Sequence, residues 1–241
     1  MKILALIFLS LIVITLIIIK YIRVKPKLQV AQMKEEGLVW YASYGSNLNE
    51  ERFLCYIKGG KPDGSKKIER GARDKTLPRQ NLVIQLPYPL YFAKYSKRWG
   101  GAVAFIDKIK DVNNLTYGRM YLITEEQFID VVNQENNTND LTIELDQVKI
   151  QGQLSVRPSW YGNIIYLGEK DGYPIFTFTA NWDLKDINSN IPSEAYLKML
   201  ISGMKGLNIL SNQEIVDYFI NKPGVKDNYS TRQIEEIIEQ M

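Results

Sequence analysis

Residues 44–48 read Tyr-Gly-Ser-Asn-Leu and follow directly on a short apolar run at 39–42. A helix-like stretch starts immediately afterwards, and a helix that begins straight after a strand leaves N–H groups free at its positive end. Gly45 lets a ligand approach the backbone closely, while Ser46 and Asn47 can cap the helix or hold the loop. Such a loop can bind a carboxylate or a developing oxyanion. Taken alone, however, Ser and Asn at this place are more simply interpreted as ordinary helix caps.

Glu135 is the second group whose type and position could support chemistry. It closes the segment Asn133-Gln134-Glu135, at the end of a helix that the capping-box pattern at 124–127 predicts. A carboxyl group at a helix C-terminus faces the negative end of the dipole, which raises its pKa and suits a general base near neutral pH. The simpler alternative is a solvated glutamate at a helix end.

Tyr196 is the third candidate. It follows Pro192-Ser193, a typical helix start, by three residues. It is either an aromatic residue of the core or a phenol that faces a site.

The amino-acid composition excludes several kinds of metal site and catalytic site. The 241 residues include no histidine and one cysteine, Cys55. Zinc sites with four cysteines, or with two cysteines and two histidines, are therefore excluded, as are Ser-His-Asp and Cys-His nucleophile systems. A general acid or base in this chain must therefore be Glu, Asp, Tyr or Lys. A hydrolase or acyltransferase would use Ser46 or Cys55 as its nucleophile. Ser46 would need Lys or Tyr as activator, and Cys55 lies in an apolar run typical of a core.

Charge is concentrated at the N-terminus. Residues 1–34 carry six basic residues and no acid, which leaves 24 basic against 27 acidic residues in the remainder. The main body therefore has no basic footprint for nucleic acid, and we expect no nucleic-acid partner.

The apolar run at 3–19 predicts a membrane anchor. With its flanks it is just long enough to span a bilayer, and it is longer than the apolar core of a cleaved signal peptide, the competing interpretation. We divide the chain into a transmembrane anchor (1–22), a basic linker (23–37) and one domain (38–241). Basic residues follow the span, so a single-pass protein would have its C-terminal domain in the cytoplasm and contact the membrane through residues 3–22.

The body begins with strand patterns and ends with helix patterns, without a regular βαβ alternation. This order predicts an α+β fold with a strongly curved or closed mixed sheet. Two of the expected strands lie at 141–145 and 148–150. Residues 61–80 are charged and rich in glycine, and they predict a surface excursion.

Taken together, these blocks resemble the γ-glutamylcyclotransferase-like superfamily. Its signature loop resembles residues 44–48, its Gly-Gly strand resembles 99–106, and its Gly-centred strand resembles 117–121. The Gln-Glu pair with the catalytic glutamate resembles Gln134-Glu135, and the Pro-Ser-x-x-Tyr segment resembles 192–196. The resemblance covers residues 39–220 in the family's order.

The resemblance implies a small mixed β-barrel flanked by helices and a reaction without metal or cofactor. In that reaction the α-amine of a small γ-glutamyl compound attacks its own γ-carbonyl and releases 5-oxoproline. Glu135 would be the catalytic acid and base. The substrate-binding residues would be Tyr44, Gly45, Ser46, Asn47, Leu48 and Tyr196.

Three features depart from the family's better-known enzymes. Asn136 stands where those enzymes have Gly, residues 58–80 resemble an insertion close enough to cover the site, and an anchor is not typical of them. A membrane-anchored binding or scaffold domain of the same fold, without catalysis, is therefore the alternative. The leaving group stays open between an amino acid, Cys-Gly, a lysine side chain and an amine.

Overall fold

The computed structural model describes residues 35–62 and 68–241. The predicted anchor at 1–22, its membrane contact at 3–22 and most of the predicted linker at 23–37 lie outside the described residues. Within the described part, no helix combines the length and apolar character that crossing a membrane requires. Residues 36–241 form one compact unit.

All the strands of the described residues lie between residues 38 and 179. They are β1 (Leu38–Ser43), β2 (Gln80–Leu86), β3 (Leu90–Ser96), β4 (Gly101–Ile106), β5 (Thr116–Thr124), β6 (Gln153–Ser155), β7 (Asn163–Lys170) and β8 (Tyr173–Thr179). Six of them form one mixed sheet in the order β2-β5-β1-β8-β7-β6. Strand β1 is antiparallel to β5 and parallel to β8, and all six of its residues are buried.

The expected closed barrel is wrong for the described residues. Strands β2 and β6 form the two edges of the six-stranded sheet, while β3 and β4 pair with each other as a separate hairpin. Among the described residues, the hairpin pairs with other segments only through isolated β-bridges, Ala93 with Ser189 and Ala102 with Pro192. Because a barrel needs a continuous ladder around its circumference, this arrangement is an open sheet with a hairpin beside it. The mixed α+β class itself is as predicted.

Helices cover both faces of the sheet. In chain order they are α1 (Glu50–Lys58), α2 (Glu125–Glu135), α3 (Leu145–Gln151), α4 (Glu194–Lys205), α5 (Asn212–Ile220) and α6 (Thr231–Glu239). Alternation along β1 divides the core. Val39 and Tyr41 pack with α1, α2 and α3, whereas Trp40 and Ala42 pack with the hairpin and the last three helices. Burial on both faces fits a strand at the centre of a layered fold.

The strands expected at 141–145 and 148–150 are wrong. Residues 141–144 have no regular structure, and residues 145–151 are helix α3. Ile143, Leu145 and Val148 are the buried members of this segment. Apolar residues spaced by two and then by three fit a strand or a helix equally well, and packing against the sheet selects the helix.

Two glycines allow α4 to lie close to the rest of the fold. A Cβ on Gly203 would lie 2.5 Å from the Leu48 Cβ, and one on Gly101 would lie 2.4 Å from the Ser193 nitrogen. Glycine at these places therefore brings the helix that carries Tyr196 into contact with both the 44–48 loop and strand β4.

Candidate active site

The loop after β1 forms a short 3₁₀ turn at Ser46–Leu48 before α1 starts. The cap of α1 is Asn49, whose Oδ1 accepts the Arg52 N–H at 2.9 Å, so neither Ser46 nor Asn47 has that role. No side chain caps the 3₁₀ turn at Gly45. The side chains of Ser46 and Asn47 are thus free for other contacts.

Asn47 is buried and is held from three sides. Its Nδ2 donates to the Tyr41 hydroxyl at 3.1 Å and to Glu135 Oε1 at 3.1 Å, and its backbone oxygen accepts from the Tyr121 hydroxyl at 2.9 Å. Its Oδ1 has no hydrogen-bond partner among the described residues. The loop and the end of α2, 88 residues apart in the chain, are therefore joined directly at Glu135.

Glu135 is the last residue of α2, as the sequence predicts. Burial is the main cause that raises the pKa of its carboxyl above the ordinary value. The Arg52 guanidinium and a hydrogen bond with Tyr56 oppose that rise in pKa. A carboxyl group that is partly shifted towards its neutral form can both accept and return a proton near neutral pH.

The neighbours of Glu135 along the chain have structural contacts. Gln134 is buried, donates to the Tyr56 carbonyl at 2.9 Å and accepts from the Gly71 N–H at 3.2 Å. Asn136 donates to the Val132 carbonyl at 2.8 Å and to the Tyr161 carbonyl at 3.1 Å. These bonds fix the end of α2 and hence the position of the carboxyl group.

Tyr196 lies in the first turn of α4 and is buried. Its hydroxyl accepts the Ala104 N–H at 3.1 Å, and Tyr161 donates to the Ala104 carbonyl, also at 3.1 Å. Burial raises the pKa of Tyr196 above its ordinary value, so the phenol keeps its proton at neutral pH. The hydroxyl lies 3.5 Å from the point where a Cβ on Gly45 would be, which places it beside the loop.

A cavity of about 220 Å³ lies between these elements. The cavity is lined by six of the predicted site residues, namely Tyr44, Gly45, Ser46, Asn47, Glu135 and Tyr196. Leu48 does not line it; its side chain is buried in the core against Gly203. The Tyr44 hydroxyl donates to the Phe178 carbonyl at 2.8 Å. A ligand in the cavity would therefore contact the ring of Tyr44 and not a free hydroxyl.

Cys55 does not line the cavity, and its thiol donates to the Glu51 carbonyl at 3.4 Å within α1. Ser46 does line it. Among the described residues, no group of three or more cysteine or acidic side chains is placed to hold a metal ion.

Three residues in or beside the cavity were missed by the sequence interpretation. Arg52 and Arg98 line the cavity, and both contact the buried carboxylate of Glu69, at 3.1 Å and 2.6 Å. Glu69 belongs to the predicted surface excursion at 61–80, so part of that segment is buried beside the site. Arg52 and Tyr56 are one helical turn apart in the sequence. That spacing could have predicted that the two side chains contact each other on one face of α1.

No protein-family model matches this chain. A curated relative, histone deacetylase 5 of Arabidopsis thaliana, is 37% identical over 206 residues, which cover 77% of this chain. The chain spans only 31% of the length of that relative, so the name describes a much longer protein.

Solved structures include three similar chains. A gamma-glutamyl cyclotransferase is 16% identical, with a TM-score of 0.46 and coverage of 85% of this chain and 99% of that one. A human protein titled uncharacterized protein loc79017 is 18% identical, with a TM-score of 0.47 and the same coverage. A yeast gamma-glutamyl cyclotransferase specific to glutathione is 12% identical, with a TM-score of 0.29 and coverage of 85% and 88%.

Proposed function

We propose that the chain is a γ-glutamylcyclotransferase-like enzyme that releases 5-oxoproline from a small γ-glutamyl amide or peptide. The observation that carries this proposal is the contact between Asn47 of the loop and the half-buried Glu135 carboxyl, at the wall of a cavity that Tyr196 also lines. Two of the similar solved structures are named as cyclotransferases. These names agree with the proposal, but they describe those proteins and not this chain.

Glu135 would act on the α-amine of the γ-glutamyl group. The amine enters as an ammonium ion, and Glu135 removes one proton so that the nitrogen lone pair can attack the γ-carbonyl carbon. The new C–N bond closes a five-membered ring, and the original amide C–N bond breaks. The proton held by Glu135 passes to the departing nitrogen. The ring nitrogen loses a second proton as the ring closes, and this proton follows by the same route, so the amine leaves as an ammonium ion and no water is consumed.

The loop and Tyr196 would stabilise the oxygen of the γ-carbonyl as it gains negative charge. The Tyr196 hydroxyl already accepts an N–H from Ala104, and its own proton remains available to a ligand oxygen. Hydrogen-bond donors placed in advance around such an oxygen contribute a large part of catalysis in acyl transfer. Because the attack is intramolecular, a cavity that holds the folded conformer of the substrate adds to the rate.

The test is release of 5-oxoproline by the full-length chain, compared with its Glu135→Gln variant. Glutathione, γ-glutamyl amino acids and γ-glutamylamines together cover the possible leaving groups. We expect release from at least one class and a loss of about 100-fold or more in the variant, the usual contribution of a general base. Equal rates in the two proteins would contradict the role of Glu135.

The alternative is a binding domain of the same fold without turnover. Asn136 favours it, because this residue stands where the better-known enzymes have Gly and its side chain is tied to Tyr161. Ligand binding that survives Glu135→Gln, together with no release by the wild-type protein, would support this alternative.

We also propose that residues 3–22 anchor the chain in a membrane with its C-terminal domain in the cytoplasm. The apolar run and the basic residues that follow it support this location. Membrane fractionation, and protection of the C-terminal domain from protease added outside intact cells, would test it.

A further inference from the structure

Arg52, Glu69 and Arg98 form a buried cluster of charge beside the cavity. Arg52 Nη2 lies 3.1 Å from Glu69 Oε1, and Arg98 Nη1 lies 2.6 Å from the same oxygen. The Arg52 and Glu69 side chains are each 2% exposed, and that of Arg98 is 21% exposed. Arginines stay protonated at any physiological pH, so two positive charges share one carboxylate here.

Among the described residues, Glu135 is the acidic side chain that lines the cavity. Its pKa is raised mainly by burial, which favours its neutral form. Arg52 and Arg98 line the same cavity, so a ligand that brings a negative charge would be stabilised there.

The guanidinium of Arg52 also has unused donors. Its Nη2 donates to the Tyr56 hydroxyl at 2.7 Å and contacts Glu69, whereas its Nε and Nη1 are buried and have no acceptor in the part of the chain that the structure describes. A carboxylate is the usual partner of such donors because it can accept two parallel N–H groups.

The cluster stands next to the proposed general base. Tyr56 links the two, since its hydroxyl accepts from Arg52 and it also shares a hydrogen bond with Glu135. In a γ-glutamyl group, the α-amine and the α-carboxylate are attached to the same carbon. An amine placed at Glu135 therefore brings its carboxylate to the side of the cavity where Arg52 lies.

On the basis of the proposed function, we propose that Arg52 and Arg98 bind the free α-carboxylate of the γ-glutamyl group, while Glu69 holds the two guanidinium groups in place. The substrate class is thereby restricted to γ-glutamyl compounds with an unmodified α-carboxylate, whatever their leaving group.

The first experiment measures binding and does not depend on turnover. Calorimetry with the full-length chain compares 5-oxoproline, which retains the α-carboxylate, with its neutral primary amide. We expect the acid to bind at least 10-fold more tightly than the amide, and Arg52→Met and Arg98→Met each to remove most of that preference. Arg52→Lys, which keeps the charge, should retain part of it. Arg232→Met, on the exposed face of α6, is the matched control and should bind both compounds as the wild type does.

The second experiment separates the α-carboxylate from a carboxylate on the leaving group. It measures kcat/KM for γ-glutamyl-alanine and γ-glutamyl-ethylamine, which differ only in that second carboxylate. We expect Arg52→Met to lower both values by the same factor. A loss confined to γ-glutamyl-alanine would overturn the proposal and place the receptor at the leaving group.

Equal affinity of the wild type for 5-oxoproline and its amide would also overturn the proposal. A preference for the acid without turnover of any γ-glutamyl compound would leave the receptor supported and refute the proposed reaction instead. Thermal unfolding identifies variants that fail to fold. If Arg52→Met is one of them, Arg98→Met decides the result, because Arg98 is the more exposed of the two arginines.

Discussion

Asn47 donates a hydrogen bond from its side-chain amide to the carboxylate of Glu135 across 3.1 Å. This bond joins the loop after the first strand to the end of α2. Because a second bond from the same amide nitrogen holds Asn47 to Tyr41, the carboxyl group has a fixed orientation towards the cavity.

Asn47→Ala should lower kcat/KM for 5-oxoproline release by about 10-fold to 100-fold. A hydrogen bond to a charged group contributes about 1.5–3 kcal/mol, and each 1.4 kcal/mol corresponds to a factor of ten. Steady-state kinetics would check this. Asn81→Ala is the control, because Asn81 makes the same type of bond to Glu50 outside the cavity. Loss of activity in both variants would assign the effect to general destabilisation.

The pH dependence of kcat/KM should show an acidic limb at a pH above the ordinary glutamate pKa. Glu135 must be ionised to accept a proton, and burial raises its pKa, so activity falls as the pH drops through that raised value. The limb should move to higher pH in Arg98→Met and to lower pH in Glu69→Gln, because Arg98 lowers the Glu135 pKa and Glu69 raises it. If the acidic limb stays at the same pH in both variants, a group other than Glu135 causes it.

Glu135→Gln should increase the free energy of unfolding at neutral pH. The folded-state pKa of Glu135 lies above that of the unfolded chain, so its contribution to stability is complete at low pH and is lost as the pH rises through the folded-state value. A neutral amide does not incur that loss. Urea unfolding at pH 7 and below pH 4.5 would show a gain in the variant that is present only at the higher pH. Glu125→Gln, at an exposed position of the same helix, should show no such gain.

Tyr196→Phe should lower kcat by about 10-fold or more and lower stability by about 1–3 kcal/mol. The change removes a proton donor at the cavity and leaves the buried Ala104 N–H without its acceptor. Tyr91→Phe is the matched control. Its hydroxyl is also buried and accepts an N–H, from Trp182 at 2.8 Å, but Tyr91 does not line the cavity. If kcat fell equally in the two variants, Tyr196 would have only a structural role.

Gly203→Ala should lower the free energy of unfolding by about 1–3 kcal/mol, although alanine is the better helix former. The new Cβ would lie 2.5 Å from the Leu48 Cβ and 2.6 Å from the Asn49 nitrogen. Denaturant unfolding would measure the loss. Gly45→Ala offers the contrast, because its Cβ would meet nothing closer than 3.5 Å. It should fold as the wild type does, and an equal loss of stability there would contradict the steric explanation.

Local sequence signals predicted the elements that carry the candidate site. The capping box at Thr124 placed the start of α2 correctly, and Ser193 caps α4 as the Pro-Ser pair suggested. Such signals succeed because a cap and its hydrogen bonds lie within one helical turn, so neighbouring residues alone specify them.

The same local reasoning failed where packing makes the choice. The apolar pattern at 141–150 fits a strand as well as a helix, and only its contact with the sheet selects α3. Likewise, the charges at 61–80 suggested an exposed segment, whereas Glu69 is buried because Arg52 and Arg98 pair with it. Each partner lies too far along the chain for periodicity or composition to reveal it.

By itself, the sequence determined which groups are available for chemistry. Without histidine, and with one cysteine, it left carboxyl and phenol groups for proton transfer, and its motifs named Glu135, the 44–48 loop and Tyr196. The tertiary structure decided that Leu48 belongs to the core and that two arginines share Glu69 beside the cavity. It also decided that burial, and not the helix end that the sequence suggested, is the main cause of the raised Glu135 pKa. The reason is physical: the exposure and electrostatic surroundings of a side chain depend on residues that only folding brings together.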